Sequence, residues 1–423
     1  MHMHSIARFF LVVALSTPSA TLLANGMRLA SQDAFASARG EAFVATADNA
    51  SAIYYNPAGI TQLEGNQLRS GLYGIYFDPT FTPPSGAPNS GSTYHLDGQF
   101  AAAPQLFYTH TRQDSPWSFG LGAYSPHGAS VSWPEDTGFR TVATEGSLKY
   151  FRINPAVALK FSPQFSIGVG ALVDYGDIKL EQGLLRSQTP FANFFRFTGD
   201  GWSAGYNAGL LWQPHEKISV GATFRSTVKI TMDGKTKFEQ QPVIQPTRRS
   251  AQADFEFPLT AVFGISIRPT PKWNFEFDAD YTDWSSLGTI TIRQDTPPPF
   301  PVQQNIPVTL DWQPSWIFEF GATRYLDHGW HVSAGYLYNE SSVPDAYYTP
   351  LAADLDRHFF SVGAGHTGKR FDFDLTYQFG YGPARKVTGS TPSSQPGLFA
   401  GQNADGTYEF ISHAVFVTVG TRF

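Results

Sequence analysis

The sequence predicts an all-β protein: a transmembrane antiparallel β-barrel of about fourteen strands, with an N-terminal helical hatch that plugs the lumen. Three observations support this fold class. Apolar and polar residues alternate with a period of two, short and long connections alternate between these stretches, and residues 25–65 do not share the pattern. Alternation of this kind gives a sheet one apolar face and one polar face.

Composition excludes several classes of protein. The 423 residues include 15% charged and 15% aromatic residues, 39 glycines and no cysteine. Low charge and abundant glycine favour strands, and the lack of cysteine excludes a disulfide framework and thiolate metal sites. The net charge of −6 argues against a nucleic-acid partner, which would need a basic surface. Past the N-terminus, no apolar run approaches the roughly 18 to 20 residues of a spanning helix.

The first residues have the features of an export signal. Arg8 supplies a positive charge, an apolar core runs from Phe9 to Leu15, and small residues follow up to Ala24. This order is typical of a secretory signal peptide, the alternative being a buried N-terminal element of a soluble protein. We expect three segments: a signal peptide in residues 1–24, the hatch in residues 25–65 and the barrel in residues 66–423.

Two consecutive stretches show the strand pattern clearly. In the first, Trp202 and Trp212 lie at the two ends of one apolar face, as in the aromatic girdles of outer-membrane barrels. In the second, we expect Val228 and Ile230 on the outer apolar face and Lys229 on the inner polar face. The same alternation places a larger group of charged residues inside the barrel: Arg225, Arg268, Glu276, Asp278, Asp280, Asp372 and Asp374.

The connections between strands indicate the orientation. Short turns such as Ser162 to Gln164 alternate with long loops such as Gln182 to Gly199. Bacterial barrels have short periplasmic turns and longer outer loops, so we expect both termini on the periplasmic side.

Several segments resemble the FadL family, outer-membrane transporters of long-chain fatty acids and other hydrophobic compounds. The resemblance covers nearly the whole mature chain, and its most specific parts are Ser37 to Glu41, Ala47 to Ser51, Asn56 to Gly59, Gly201 to Gly209, Tyr281 to Trp284 and Ser342 to Pro344. It implies a hatch inside a fourteen-stranded barrel, a ligand groove between outer loops, a lumen pocket, and a lateral exit where the third strand is kinked. It also implies a monomer.

The resemblance assigns the hatch and the lateral opening to particular residues. The hatch motif is Asn56, Pro57, Ala58 and Gly59. The kink is predicted at Ser125, Pro126, His127 and Gly128, because proline cannot donate a ladder hydrogen bond and glycine permits unusual backbone angles. The alternative for the second group is an ordinary loop start.

The ligand groove is predicted in the outer loop that follows Gln182. This loop contains four closely spaced aromatic residues: Phe191, Phe194, Phe195 and Phe197. So much apolar surface on an outer loop requires either a ligand or a packing partner, and both remain open.

The predicted lumen pocket lacks the charge that a fatty acid would need. In the family, an arginine and a lysine hold the carboxylate, and their positions align with Gln182 and Gln313. A buried carboxylate needs a cationic or hydrogen-bonding partner. The two glutamines therefore favour a neutral hydrocarbon or ester as the ligand. A fatty anion would have to use other cations, for which the candidates are Arg186, Arg196, Arg248 and Arg249.

Two motifs look catalytic but do not fit their context. Gly201 to Gly205 matches a nucleophile elbow, and Gly363 to Lys369 approaches a phosphate-binding loop, but neither precedes a predicted helix. The histidines show no metal-ligand spacing. We therefore predict no enzymatic activity and no cofactor. The prediction is passive uptake of a hydrophobic small molecule in contact with outer-membrane lipid, with a water-filled porin as the alternative.

Overall fold

The structure is a computed structural model that describes residues 27–87, 89–241, 244–297, 303–392 and 401–423. The predicted signal peptide, residues 1–24, lies outside the described residues. No helix in the described ranges has the length and apolar character required to cross a membrane.

Fourteen antiparallel strands form a closed barrel, which confirms the predicted fold class. The strands are β1 (Gly65–Thr82), β2 (Tyr94–His95 and Phe100–Thr111), β3 (Trp117–Tyr124 and Gly128–Ser132), β4 (Glu145–Ser162), β5 (Phe165–Gly183), β6 (Asn193–His215), β7 (Ile218–Arg225 and Val228–Gln240), β8 (Ile244–Phe257 and Thr260–Thr270), β9 (Trp273–Thr282 and Thr289–Gln294), β10 (Asn305–Thr309 and Ser315–Tyr325), β11 (Trp330–Asn339), β12 (Arg357–Thr367), β13 (Phe371–Val387) and β14 (Gly406–Arg422). Each strand pairs with the next, and β14 closes the barrel on β1.

The outer face of the barrel is apolar. On β14, Val415, Val417 and Val419 are exposed, whereas the intervening Phe416 and Thr418 are buried. Exposed tryptophans also lie on this face: Trp117, Trp202, Trp212, Trp316 and Trp330. An apolar band with aromatic residues is the surface that outer-membrane barrels present to lipid.

The predicted faces of Val228, Lys229 and Ile230 are wrong. β7 is interrupted after Arg225, where the Ser226 backbone N–H donates to the Tyr206 carbonyl oxygen and the Tyr206 N–H donates to Ser226 Oγ. This interruption reverses the alternation, so Val228 and Ile230 are buried inside and Lys229 is exposed outside. Because side chains alternate between the two faces of a strand, a shift of one residue moves every following side chain to the opposite face.

The hatch consists of short helical turns: α1 (Ala34–Ala38), α2 (Ala52–Tyr55) and a 3₁₀ turn (Pro57–Gln62). The Asp33 side chain caps α1 by accepting from the backbone N–H groups of Phe35 and Ala36. Side-chain caps of this kind satisfy the free donors at a helix start. Nearly all side chains of these turns are buried, because the barrel wall surrounds them.

Carboxylates on the inner face of β9 bind the hatch. Glu276 Oε2 accepts from Arg39 Nη2 at 3.0 Å. The backbone N–H groups of residues 43–46 donate to Glu276 and Asp278 at 2.7 to 3.1 Å. The inward carboxylates that alternation predicts on β9 are therefore partners of the hatch.

Close packing between hatch and wall depends on small residues. A Cβ atom added to Gly335 of β11 would overlap the backbone of Arg39 and Gly40. Gly40 itself has a φ of +63°, in the left-handed region that favours glycine. A larger side chain at position 335 therefore has no room while the hatch is in place.

We predict that Gly335→Val displaces the hatch from an assembled barrel. Overpacking of this kind destabilises a protein by about 1–3 kcal/mol. The hatch should move rather than the barrel strands, because it has fewer contacts to lose. Single-channel conductance in planar bilayers should rise, while the unheated protein should keep the gel mobility of a folded barrel. Gly288→Val is the matched control, because nothing lies within 4 Å of the added Cβ. Equal, low conductance in both variants would contradict the prediction.

Candidate functional site

The barrel wall has a window between β2 and β3. Their pairing ends at Leu106–Ala123, and the second segment of β3 pairs only with β4 among the described residues. Towards the outside, the Asp97 N–H donates to the Ser132 carbonyl oxygen at 2.9 Å and closes the gap again. Phe100, which is 76% exposed, lies on the β2 side of this window.

The interruption of β3 brings His127 into the lumen. The His127 ring lies 4.8 Å from the Tyr150 ring and 5.1 Å from the Phe257 ring of β8. Trp284 approaches at 6.4 Å. The alternation also reverses here, so Tyr124 and Ala129 are both buried. The wall therefore bends inward at residues 125–127 and contacts strands that are not its neighbours.

The start of the hatch occupies the inner side of this bend. The Leu29 N–H donates to the Pro126 carbonyl oxygen at 2.8 Å, and the Gly128 N–H donates to the Met27 carbonyl oxygen at 2.9 Å. Gln32 Nε2 donates to the Ser125 carbonyl oxygen at 3.0 Å. A short piece of hatch thus supplies hydrogen bonds that β2 does not make to this part of β3.

Arg28 lies at the centre of the hatch contacts. It pairs with Asp280 of β9, with Nη1 2.8 Å from Oδ1, and its Nη1 also donates to Thr282 Oγ1 at 2.9 Å. Three cavities of about 40, 20 and 10 Å³ adjoin it. They lie side by side, because the second shares Ala30 and Glu41 with the first and Tyr54 and Arg225 with the third.

The largest of these cavities is mainly apolar and lies between the hatch and the wall. Its apolar lining consists of Leu29, Ala30, Ile75, Ile317, Leu337, Phe359 and Phe410. Polar groups at its edge include Ser31, Gln378 and Asn339. In the described part of the chain, neither amide atom of Asn339 has a hydrogen-bond partner, although the residue is fully buried. An apolar cavity with a few polar groups is the usual form of a small-molecule site.

We predict that Asn339→Leu stabilises the barrel and weakens ligand binding. A buried amide without partners costs about 1–3 kcal/mol, and leucine of similar size removes this cost. The thermal denaturation midpoint in detergent should rise, while affinity for an amphipathic ligand should fall. Gln62→Leu also replaces an amide, but outside this cavity, and it is the comparison variant for both the denaturation midpoint and the ligand affinity. A lower denaturation midpoint for Asn339→Leu would contradict the structural part of the prediction.

The four phenylalanines of the predicted groove do not share one surface. Phe195 and Phe197 are buried inside the barrel. Phe194 points outward, where its ring lies beneath the Arg196 guanidinium at 4.7 Å. Phe191 is 52% exposed in the loop. Alternation along β6 separates these side chains, so a single groove containing all four does not form.

The predicted carboxylate partners are also separated. Arg196 points outward and pairs with Glu181. Arg248 is exposed and Arg186 lies in an exposed loop position, whereas Arg249 is half-buried on the inward register of β8. Arg249 Nε has no hydrogen-bond partner.

The two predicted pocket glutamines do not meet in the lumen. Gln182 is half-buried at the outer end of β5. Gln313 is exposed, and its side chain donates to the Asp311 carbonyl oxygen at 2.9 Å.

The hatch motif lies deep inside the barrel. The Asn56 side chain accepts from the Ala58 N–H at 3.1 Å and donates to the carbonyl oxygens of Val44 and Leu210 at 2.8 and 2.9 Å. Pro57, Ala58 and Gly59 are buried beside it. This motif therefore joins two parts of the hatch to β6.

Sequence reasoning missed Arg28 and Asn339. Arg28 precedes the hatch motifs and carries no pattern of its own, and its partner Asp280 lies 252 residues away. Arg225 was placed inside the barrel by alternation, but its position beside the kink required the three-dimensional structure.

Comparisons with known proteins agree with this architecture. Residues 13–423 match the family described as outer membrane protein transport protein (OMPP1/FadL/TodX). A long-chain fatty acid transport protein of Escherichia coli O6:H1 is 24% identical over 415 residues, which cover 90% of this chain and 89% of the relative.

Two solved structures have a similar fold. A Pseudomonas aeruginosa FadL homologue superposes with a TM-score of 0.82 at 18% identity, covering 94% of this chain and 100% of the other. The Pseudomonas putida toluene transporter TodX superposes with a TM-score of 0.70 at 15% identity, covering 92% of this chain and 98% of the other.

Proposed function

This chain belongs to the outer membrane protein transport protein (OMPP1/FadL/TodX) family, and from that premise we propose a route by which it carries hydrophobic compounds across the outer membrane. It is a transporter and not an enzyme. The ligand enters between the outer loops, passes the cavities around Arg28 and leaves sideways through the window between β2 and β3. The observation that carries this proposal is the contact of Met27 and Leu29 with the inward bend of β3.

The proposed substrates are long-chain fatty acids or related lipids and hydrocarbons. Relatives are named for long-chain fatty acids, and a protein of similar fold is named for toluene. The apolar lining of the largest of the three cavities around Arg28 supports ligands of this class. Transport by this route needs no cofactor, because the free-energy source is the ligand's own concentration gradient.

Opening requires movement of the hatch. The largest of the three cavities around Arg28 holds about 40 Å³, whereas small-molecule sites span roughly 300–1,000 Å³. The segment formed by Met27, Arg28 and Leu29 blocks the window with two backbone hydrogen bonds and one ion pair. We propose that displacement of this segment joins the three cavities to the window.

The outer entrance of the proposed route lies at the loop between β5 and β6. We propose that Phe191 gives the ligand its first apolar contact and that the ligand then passes the buried Phe195 and Phe197. Arg186 and Arg249 remain candidates for a carboxylate at this end, whereas the outward positions of Arg196 and Arg248 do not favour them. Gln182 lies at the same outer end of β5.

We further propose that the chain acts as a monomer in contact with outer-membrane lipid, without a nucleic-acid partner. A closed wall with an apolar outer band needs no second chain to complete it. Residues 1–24 remain predicted as a signal peptide that directs the chain to this membrane.

We predict uptake of both oleate and toluene by cells that lack their own fatty-acid transporter and express this chain. Each ligand is apolar enough for the largest cavity and small enough in cross-section for a widened window. Accumulation of radiolabelled oleate and toluene is measured against cells with an empty vector. The purified protein should conduct ions weakly, because the hatch fills the lumen.

Uptake of neither ligand, together with high ion conductance, would contradict the proposal and favour a water-filled porin. Uptake of toluene alone would support the proposed route but would exclude fatty acids as its substrates.

A further inference from the structure

The cavity beside the kink lies where three strands are interrupted. Pro126 and His127 of the β3 interruption line it, as do Ser226 of the β7 interruption and Pro258 of the β8 interruption. At each break the strand ladder leaves space that a regular wall would fill. This cavity, of about 10 Å³, is the one that adjoins the window.

Three arginines line this cavity, and two of them form an ion pair with a carboxylate. Arg28 pairs with Asp280, and Arg152 pairs with Asp174 at 2.6 and 2.8 Å. Arg225 forms no ion pair with a carboxylate in the described part of the chain. A buried charge without an opposite charge is costly, because burial removes its solvation.

The contacts of Arg225 leave part of its guanidinium available. It donates to the Tyr54 carbonyl oxygen and, at 3.2 Å, to Thr260 Oγ1. It also lies over the Tyr54 ring, 4.3 Å from the centroid. Its Nε has no hydrogen-bond partner within the described ranges, and the residue is only 5% exposed.

His127 is the second incompletely bonded group on the same cavity. The residue is 6% exposed, and neither ring nitrogen has a hydrogen-bond partner among the residues that the structure describes. Its neighbours Tyr150, Phe257 and Trp284 contact it through their rings. Buried polar groups in proteins are almost always hydrogen-bonded, so a histidine with two unpaired nitrogens indicates a missing partner.

We propose that Arg225 and His127 form a subsite for the carboxylate head group of an amphipathic ligand at the window. One carboxylate oxygen accepts from Arg225 Nε and the other from the His127 ring N–H, while the alkyl chain points into the window. The cavity reaches the required size when Met27, Arg28 and Leu29 move away. This subsite lies at the kink and is separate from the outer candidates Arg186 and Arg249.

The proposal rests on the transport route above and adds a preference for acids. Neutral ligands pass the same window but gain nothing from the positive charge. An acid gains a charge-assisted hydrogen bond at the point where it must leave the hatch. The subsite therefore predicts that the protein binds an acid more tightly than the corresponding alcohol. Apolar packing alone cannot produce this difference in affinity.

The experiment measures binding of oleate and of oleyl alcohol to the detergent-purified full chain by isothermal titration calorimetry. Arg225→Gln should weaken oleate binding at least about tenfold, because hydrogen bonds to charged groups contribute about 1.5–3 kcal/mol. Oleyl alcohol binding should change less than about twofold. His127→Phe, which keeps the aromatic contacts, should show the same selective loss. Gel mobility of the unheated protein verifies that each variant is folded.

Arg324→Gln is the matched control, because Arg324 is exposed on the outer face over Trp273. Equal losses for oleate and oleyl alcohol in Arg225→Gln would mean that Arg225 only holds Tyr54 and would overturn the subsite, while the transport route stands. Unchanged oleate binding in both variants would also overturn it. A selective loss seen for dioleoyl phosphatidate but not for oleate would assign the site to a lipid phosphate instead. If the unaltered chain binds neither oleate nor oleyl alcohol, the transport proposal itself fails.

Discussion

The rest of the structure depends on the bond between the hatch and the carboxylates of β9. Glu276, Asp278 and Asp280 face the lumen on one strand and are almost fully buried. Such a row is tolerated only if positive groups and N–H donors neutralise it, and the hatch supplies both through Arg28, Arg39 and its backbone. Removing one partner of a buried ion pair costs about 3–5 kcal/mol. The wall and the hatch therefore stabilise each other.

The same constraint applies to the window between β2 and β3. Backbone groups at membrane depth must be hydrogen-bonded, so a barrel strand cannot simply leave its neighbour. At the β3 bend, the hatch supplies two of the missing bonds through Met27 and Leu29. A movement of this hatch segment consequently changes the lumen and the window in one step. The ion pair of Arg28 with Asp280 connects that movement to the β9 carboxylates.

The sequence predicted the barrel and the hatch because both depend on local patterns. A period of two identifies strands directly, and the departure of residues 25–65 from this period marks the hatch. It did not predict where the alternation between inward and outward side chains reverses within a strand. Ser226 reverses the alternation through contacts with Tyr206, so Lys229 was placed on the wrong face. The partners of Arg28 and the position of Arg225 depend on residues more than 150 positions away in the chain, and no local pattern records them.

The most direct test of the account is a reversible lock between the hatch and the β3 bend. Met27→Cys with Gly128→Cys places two thiols on residues whose backbones are hydrogen-bonded at 2.9 Å, in a chain that has no other cysteine. Oleate uptake by cells carrying this double variant is measured with the disulfide formed and after reduction. The account predicts that the oxidised form transports little and that reduction restores transport. Equal uptake in both forms would show that ligand does not pass between this hatch segment and β3, and it would contradict the account.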